Sequence, residues 1–138
     1  MIWRFVFILL ACTPAFSQQN IGDLKASLRH AETNGNNDSI SYYLAVISSE
    51  YLDRKSYDSA KFYSRRAIVF NTMTDNKIRL AGDLNNLGVL HFQTGATDSS
   101  IYYYDAAYKA FEHVQDTTMM AVLKINLGIL YKQKGLYE

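Results

Sequence analysis

The sequence predicts an all-α fold, an α-solenoid of stacked antiparallel helix pairs. Three observations carry that expectation: an internal repeat with a period of about 40 residues, apolar positions at helical spacing within each repeat, and a scarcity of helix breakers. Glycine occurs 7 times in 138 residues and proline once, at Pro14, so no proline bars the chain beyond it from helix.

The repeat is read first. Leu87-Gly88 recurs one period on as Leu127-Gly128, and Ile47-Ser48 stands the same step before it. Tyr51, His91 and Tyr131 keep that step, as do Lys55, Gly95 and Gly135, and Tyr57, Thr97 and Tyr137. Ala60 aligns with Ser100, Ser64 with Tyr104, and Ala67 with Ala107. Within a unit, Leu84, Leu87, Leu90 and His91 fall on one helix face, as do Ile125, Ile129 and Lys132 on another. Helices are expected near 21–33, 39–54, 57–70, 76–94, 98–113 and 117–134, with a further one from 137. Thr33 to Asp38 reads as a loop. Ser56 and Thr97 are placed to cap the second helices, and Gly95 and Gly135 to end the first ones in a left-handed conformation. Lys55 holds that place in the first unit and would be strained there.

Glycine inside a helix costs about 1 kcal/mol against alanine. Its presence at 88 and 128 predicts close approach by the second helix of the pair, with Ala60 and Ser100 as small facing residues. Tyr104, Ala107 and Ala67 are then expected to pack on the following pair. A single pair cannot bury both faces, so stability comes from stacking.

The residues Leu84-x-x-Leu87-Gly88-x-x-His91, followed by Gly95, Ser100, Tyr104 and Ala107, resemble a tetratricopeptide repeat. So do Lys124-x-x-Leu127-Gly128-x-x-Tyr131 with Gly135 and Tyr137, and, more loosely, Leu44, Ile47-Ser48, Tyr51, Tyr57, Ala60 and Ala67. Units fall near 41–80, 81–120 and 121–138, with a helix before them as a cap or degenerate repeat. The departures are leucine or lysine where the family often has tryptophan, Ser64 in place of an aromatic, and no proline closing a unit. The usual period of about 34 residues is also exceeded. The longer unit and Asn85-Asn86-Leu87 are similar to the kinesin-light-chain-like branch of that family.

The N-terminal segment reads differently. Met1 to Arg4 is short and positively charged, Phe5 to Ala11 is apolar, and Ala15-Phe16-Ser17 matches a cleavage site. This is the pattern of a signal peptide over 1–17, leaving a repeat domain over 18–138 and implying export to a periplasm or medium. Leu9-Leu10-Ala11-Cys12 also resembles a lipobox, with lipid anchoring at Cys12 ranked second. Cys12 is the sole cysteine, so the mature chain would have neither disulfide nor thiolate metal site. The far end, Gly135-Leu136-Tyr137-Glu138, enters a helix it does not finish, leaving Leu127, Gly128 and Tyr131 uncovered and suggesting a longer protein.

The 14 basic and 13 acidic side chains nearly cancel, which gives no electrostatic reason for nucleic acid or membrane contact by the repeats. His30, His91 and His113 share no metal or catalytic spacing, and neither a phosphate loop nor a nucleophile motif occurs. No catalytic residue, cofactor or metal is expected, and the chain reads as a non-enzyme. Most tyrosines are expected in packing, with Tyr102, Tyr103 and Tyr104 pointing three ways from one helix.

The resemblance implies a concave groove lined by the first helix of each pair, with a protein or peptide as partner. Asn86 and Asn126 correspond to asparagines that hydrogen-bond a peptide backbone in related repeats, an amide being able to donate and accept together. Val46 interrupts the row, and Asn85, Gln93, Lys132 and Gln133 are weaker members of it. The expected function is a protein-interaction scaffold, with homo-oligomerisation open. Its rival is the extracytoplasmic sensor of a bacterial membrane histidine kinase or transcriptional regulator, with the output domain past Glu138.

Overall fold

A computed structural model describes residues 20–135. The expected signal peptide, the Cys12 lipobox and the helix beginning at 137 lie outside these residues. The described chain is six helices: α1 Ile21–Thr33, α2 Asn37–Asp53, α3 Tyr57–Met73, α4 Lys77–Gln93, α5 Thr97–His113 and α6 Thr117–Gln133. Consecutive helices pack side by side, and α2 also touches α4. The fold is therefore an all-α stack of helix pairs, with no strand among the described residues.

The links are more regular than the sequence reading allowed. From α2 onward each helix has 17 residues. Each link has one residue in the left-handed region, at Gly35, Lys55, Asp75, Gly95, Gln115 and Gly135. The next backbone N–H then reaches back to the helix it has left, as Ser56 to the Tyr51 carbonyl at 2.9 Å and Ala96 to that of His91 at 2.9 Å. This pairing satisfies a carbonyl that the helix end would leave open. Lys55 is left-handed as expected, with φ 57°, but so are Asp75 at 51°, a residue type that tolerates this region, and Gln115 at 57°, which nothing in its chemistry announces.

Two expectations about helix ends are corrected. Ser56 stands at the start of α3 without a capping bond, and Thr97 is the first residue of α5, behind Ala96. Side-chain caps occur instead at the first helices of the pairs. Asn36 accepts from the Ser39 N–H at 3.0 Å, Asn76 from Arg79 at 3.2 Å, and Asp116 from Met119 at 3.0 Å. Residues 36, 76 and 116 share one register of the repeat, so the cap is part of it. With Asn36 as cap, Asn37 and Asp38 belong to α2, and the expected loop shrinks to Asn34, Gly35 and Asn36. At the other end α3 runs past 70 to Met73, the 17-residue length it shares with every helix from α2 onward.

The core lies in two large apolar clusters and a third, small one. Leu24, Leu28, Ile40, Leu44, Ile47 and Ala67 join α1, α2 and α3. Ala81, Tyr104, Ala107, Phe111, Leu123, Leu127 and Leu130 join α4, α5 and α6. Tyr104 and Ala107 thus meet the following helix as expected, whereas Ala67 is buried back against α1 and α2. The clusters meet along α3 and α4. One end of that joint is apolar, made by Leu52, Ala60 and Leu90. The other is polar: the Ser41 hydroxyl donates to Asn71 Oδ1 at 2.8 Å, and Asn71 Nδ2 donates to Asp83 Oδ2 at 2.6 Å. All three side chains are buried.

The glycine within α4 has the expected cause. A β-carbon on Gly88 would lie 2.6 Å from Tyr104 Cε1, inside the ring's van der Waals surface. Ser100 donates to the Gly88 carbonyl at 2.8 Å, drawing the helices together. In the preceding pair Ser48 replaces the glycine and Ser64 the tyrosine, their hydroxyls 2.6 Å apart, with Ser48 also 3.1 Å from the Ala60 carbonyl. The two positions change together: no β-carbon opposite a ring, or two small hydroxyls opposite each other.

A second contact repeats at the same step. Tyr51 stacks on Tyr63 with centroids 5.7 Å apart, and one repeat later His91 stacks on Tyr103 at 5.2 Å. Lys25 of α1 lies over the first stack, 5.3 Å from the Tyr51 ring and 5.7 Å from the Tyr63 ring. Tyr102, Tyr103 and Tyr104 do point three ways: to solvent, onto His91 and into the core.

Candidate functional site

The first helices of the pairs, α2, α4 and α6, carry the candidate row. Asn86 lies in the second half of α4 and Asn126 at the same register of α6, each half-buried, with Val46 at that place on α2. Asn85 is half-buried beside Asn86, while Gln93, Lys132 and Gln133 are exposed at the ends of α4 and α6. None of these six polar side chains hydrogen-bonds another described residue. Each therefore has donors, and the amides acceptors as well, directed to solvent or a ligand. The structure brings α2 and α4 into direct contact, whereas α4 and α6 meet only through α5. Asn86 and Asn126 are thus equivalent positions on separate rods and make no contact with each other.

Three further residues belong to this surface: Tyr42, Arg79 and Gly82. Arg79 of α4 lies over the Tyr42 ring of α2, 5.9 Å from its centroid. Tyr42 and Gly82 share the repeat register, and Gly82 stands one turn before Asn86 on the same helix face. Nothing comes within 4 Å of where a β-carbon on Gly82 would sit, so the helix surface is open there. A tyrosine followed one repeat later by glycine was the available signal, and the register alone gave no reason to choose it.

The charge beneath this surface is unusual. Burial pushes the Asp83 carboxyl up to about 6, against the opposing effects of the Asn71 hydrogen bond and the Arg79 charge. The group is sealed in the joint between α3 and α4, where its partner is Asn71. His91 is shifted the other way: burial lowers its pKa first, and the charges of Lys61 and Arg65 on α3 add to that. Its Nδ1 is buried without a hydrogen-bond partner among the described residues, and its ring face is taken by Tyr103. Among the described residues no group of three or more histidine, cysteine, aspartate or glutamate side chains could hold a metal ion. No helix there is long and apolar enough to cross a membrane.

Comparison with known proteins adds the architecture. The chain matches no protein-family model and no curated protein. Among solved structures it is similar to the crystal structure of BtubC (BKLC) from P. vanneervenii, with a TM-score of 0.73 at 21% identity. The match covers 83% of this chain and 48% of that one, so the chain spans about half the length of this neighbour. A likeness at this identity is one of fold, and it agrees with a helical repeat array.

Proposed function

We propose that the chain is an interaction scaffold of the tetratricopeptide-repeat type, which holds a protein or peptide segment along the face formed by α2, α4 and α6. The observation that supports this reading is the pair Asn86 and Asn126. Both stand at one register of successive pairs, both reach solvent, and neither has a bonding partner among the described residues. An extended peptide presents alternating N–H and C=O groups, and an amide answers both. Gly82, one turn before Asn86, leaves the α4 surface open, and the Tyr42–Arg79 contact places an aromatic ring where α2 meets α4. Export through residues 1–17 would put this face outside the cytoplasm.

The test is selection of peptides from a displayed library on the full chain, followed by affinity measurement with Asn86→Ala, Asn126→Ala and the double variant. The double variant should bind groove-selected peptides about tenfold more weakly, the equivalent of one or two lost hydrogen bonds, with helicity by circular dichroism unchanged. Undiminished binding by every selected peptide would remove the asparagine row from the function.

A further inference from the structure

The outer face of α3 combines features that none of the packing described above uses. Among the described residues, six large apolar side chains are exposed, and three of them, Phe62, Val69 and Met73, lie on this one helix. Their spacings of seven and four put them along a single stripe. They are open to 59%, 59% and 81%. Isolated exposed apolar residues are ordinary; a row on one helix marks a contact surface.

The row ends in a built recess. Ile40, Leu44, Val69, Phe70 and Met73 line a notch of about 200 Å³ between α2 and α3, and the ion pair of Arg66 with Glu32 stands at its rim. The notch is large enough for one branched or aromatic side chain. Beside the row lie Lys61 and Arg65, one turn apart, and neither has a carboxylate partner among the described residues. The only acidic residue of α3, Asp58, is in its first turn. The chain as a whole is near neutral, with a formal charge of +1, so this cationic strip is local.

We infer that the outer face of α3 docks an acidic, amphipathic helical segment of another protein, with one apolar side chain in the notch and carboxylates on Lys61 and Arg65. The stripe from Phe62 to Met73 spans about 16 Å, three turns of a helix lying alongside. The notch has the size of one branched or aromatic side chain, which favours a peptide as its occupant. The surface belongs to a second helix of a pair and is separate from the asparagine row, so either can fail without the other.

Peptides long enough for about four helical turns, selected from a random displayed library on the full chain, provide the test. Counter-selection uses the Val69→Asp/Met73→Asp variant. Both positions are exposed, and the variant should keep its helicity. The expected result is enrichment of sequences with several Asp or Glu around a Leu, Ile or Phe. Their affinity should fall about tenfold in Lys61→Glu/Arg65→Glu and should be untouched in Asn86→Ala/Asn126→Ala. No enrichment, or enriched peptides that bind Lys61→Glu/Arg65→Glu as well as the unaltered chain, would overturn the inference. Co-sedimentation with phosphatidylglycerol vesicles that is lost in the same variants would overturn it in favour of a membrane. Self-association lost in those variants would overturn it in favour of a second copy of the chain.

Discussion

Asn71 donates to Asp83 at 2.6 Å across the joint between α3 and α4, and the same side chain accepts from Ser41 of α2. One amide therefore ties three helices, at the place where the two apolar clusters abut. One repeat on, the same three positions are Ala81, Phe111 and Leu123, all buried in one apolar cluster. The α3–α4 joint thus uses hydrogen bonds where the α5–α6 joint uses packing.

Asp83 makes stability depend on pH in a direction opposite to that of ordinary carboxylates. Its pKa is raised from 3.8 to about 6, so the fold prefers the protonated form. The stabilisation is complete below 3.8 and is lost as pH rises through about 6. Asp83→Asn keeps the shape and removes the titration. Its stability relative to the unaltered chain should therefore be about 2–3 kcal/mol higher at pH 8 than at pH 4. Urea unfolding of both proteins at pH 4, 6 and 8 measures the difference, and a flat difference would rule the account out.

His91 should act in the other direction. Its pKa is lowered by burial and by Lys61 and Arg65, so its contribution is present above 6.5 and is lost as pH falls through its folded value. Tyrosine occupies the equivalent place at Tyr51 and Tyr131. His91→Tyr should keep the stack on Tyr103 and gain stability over the unaltered chain as pH falls below 6.5. Thermal unfolding at pH 5 and 7.5 would show it as a larger difference in Tm at the lower pH.

Two glycine substitutions should have opposite signs. Gly88→Ala drives a methyl into the Tyr104 ring, at 2.6 Å from Cε1, and should destabilise by about 1–3 kcal/mol although alanine favours helix. Gly82→Ala meets nothing within 4 Å and should stabilise by about 1 kcal/mol. Tyr104→Ser removes a buried ring from the core and should cost more than Gly88→Ala, but the two losses should add less than fully in the double variant because the clash is gone. Denaturant midpoints of the single and double variants decide this.

Non-glycine residues in the links hold a reserve of stability. Lys55, Asp75 and Gln115 have φ of 57°, 51° and 57°, a region that costs an L residue about 1–2 kcal/mol. Gln115→Gly should raise the stability by roughly 0.5–1 kcal/mol, the relief being partly offset by a more flexible unfolded chain. A fall in Tm would show that the link is not strained.

The sequence showed what the repeat keeps and hid what it varies. Leu87-Gly88 and Leu127-Gly128 marked the first helices because a helical glycine needs a reason, and for Gly88 that reason is Tyr104. The Ser41–Asn71–Asp83 link was not legible, since three polar residues on three helices look like surface until the helices are stacked. The caps at Asn36, Asn76 and Asp116 were in register but were passed over for hydroxyls at Ser56 and Thr97, which make no capping bond. At the candidate site the register shows only that Asn86 and Asn126 are equivalent; their choice as site residues comes from the resemblance to related repeats. The Tyr42–Arg79 contact was not, because it depends on α2 touching α4 across a whole pair.

From α2 onward the helices recur every half-repeat in geometry and every full repeat in chemistry. Deleting or duplicating half a repeat would leave every link intact yet reverse the direction of all later helices; without α5, Gly88 would meet the register of Lys124 in place of Tyr104. Deleting or duplicating a whole repeat restores both direction and partners. An ancestral gene could therefore grow or shrink this array only in whole pairs, and a designer who recombines it inherits the same rule.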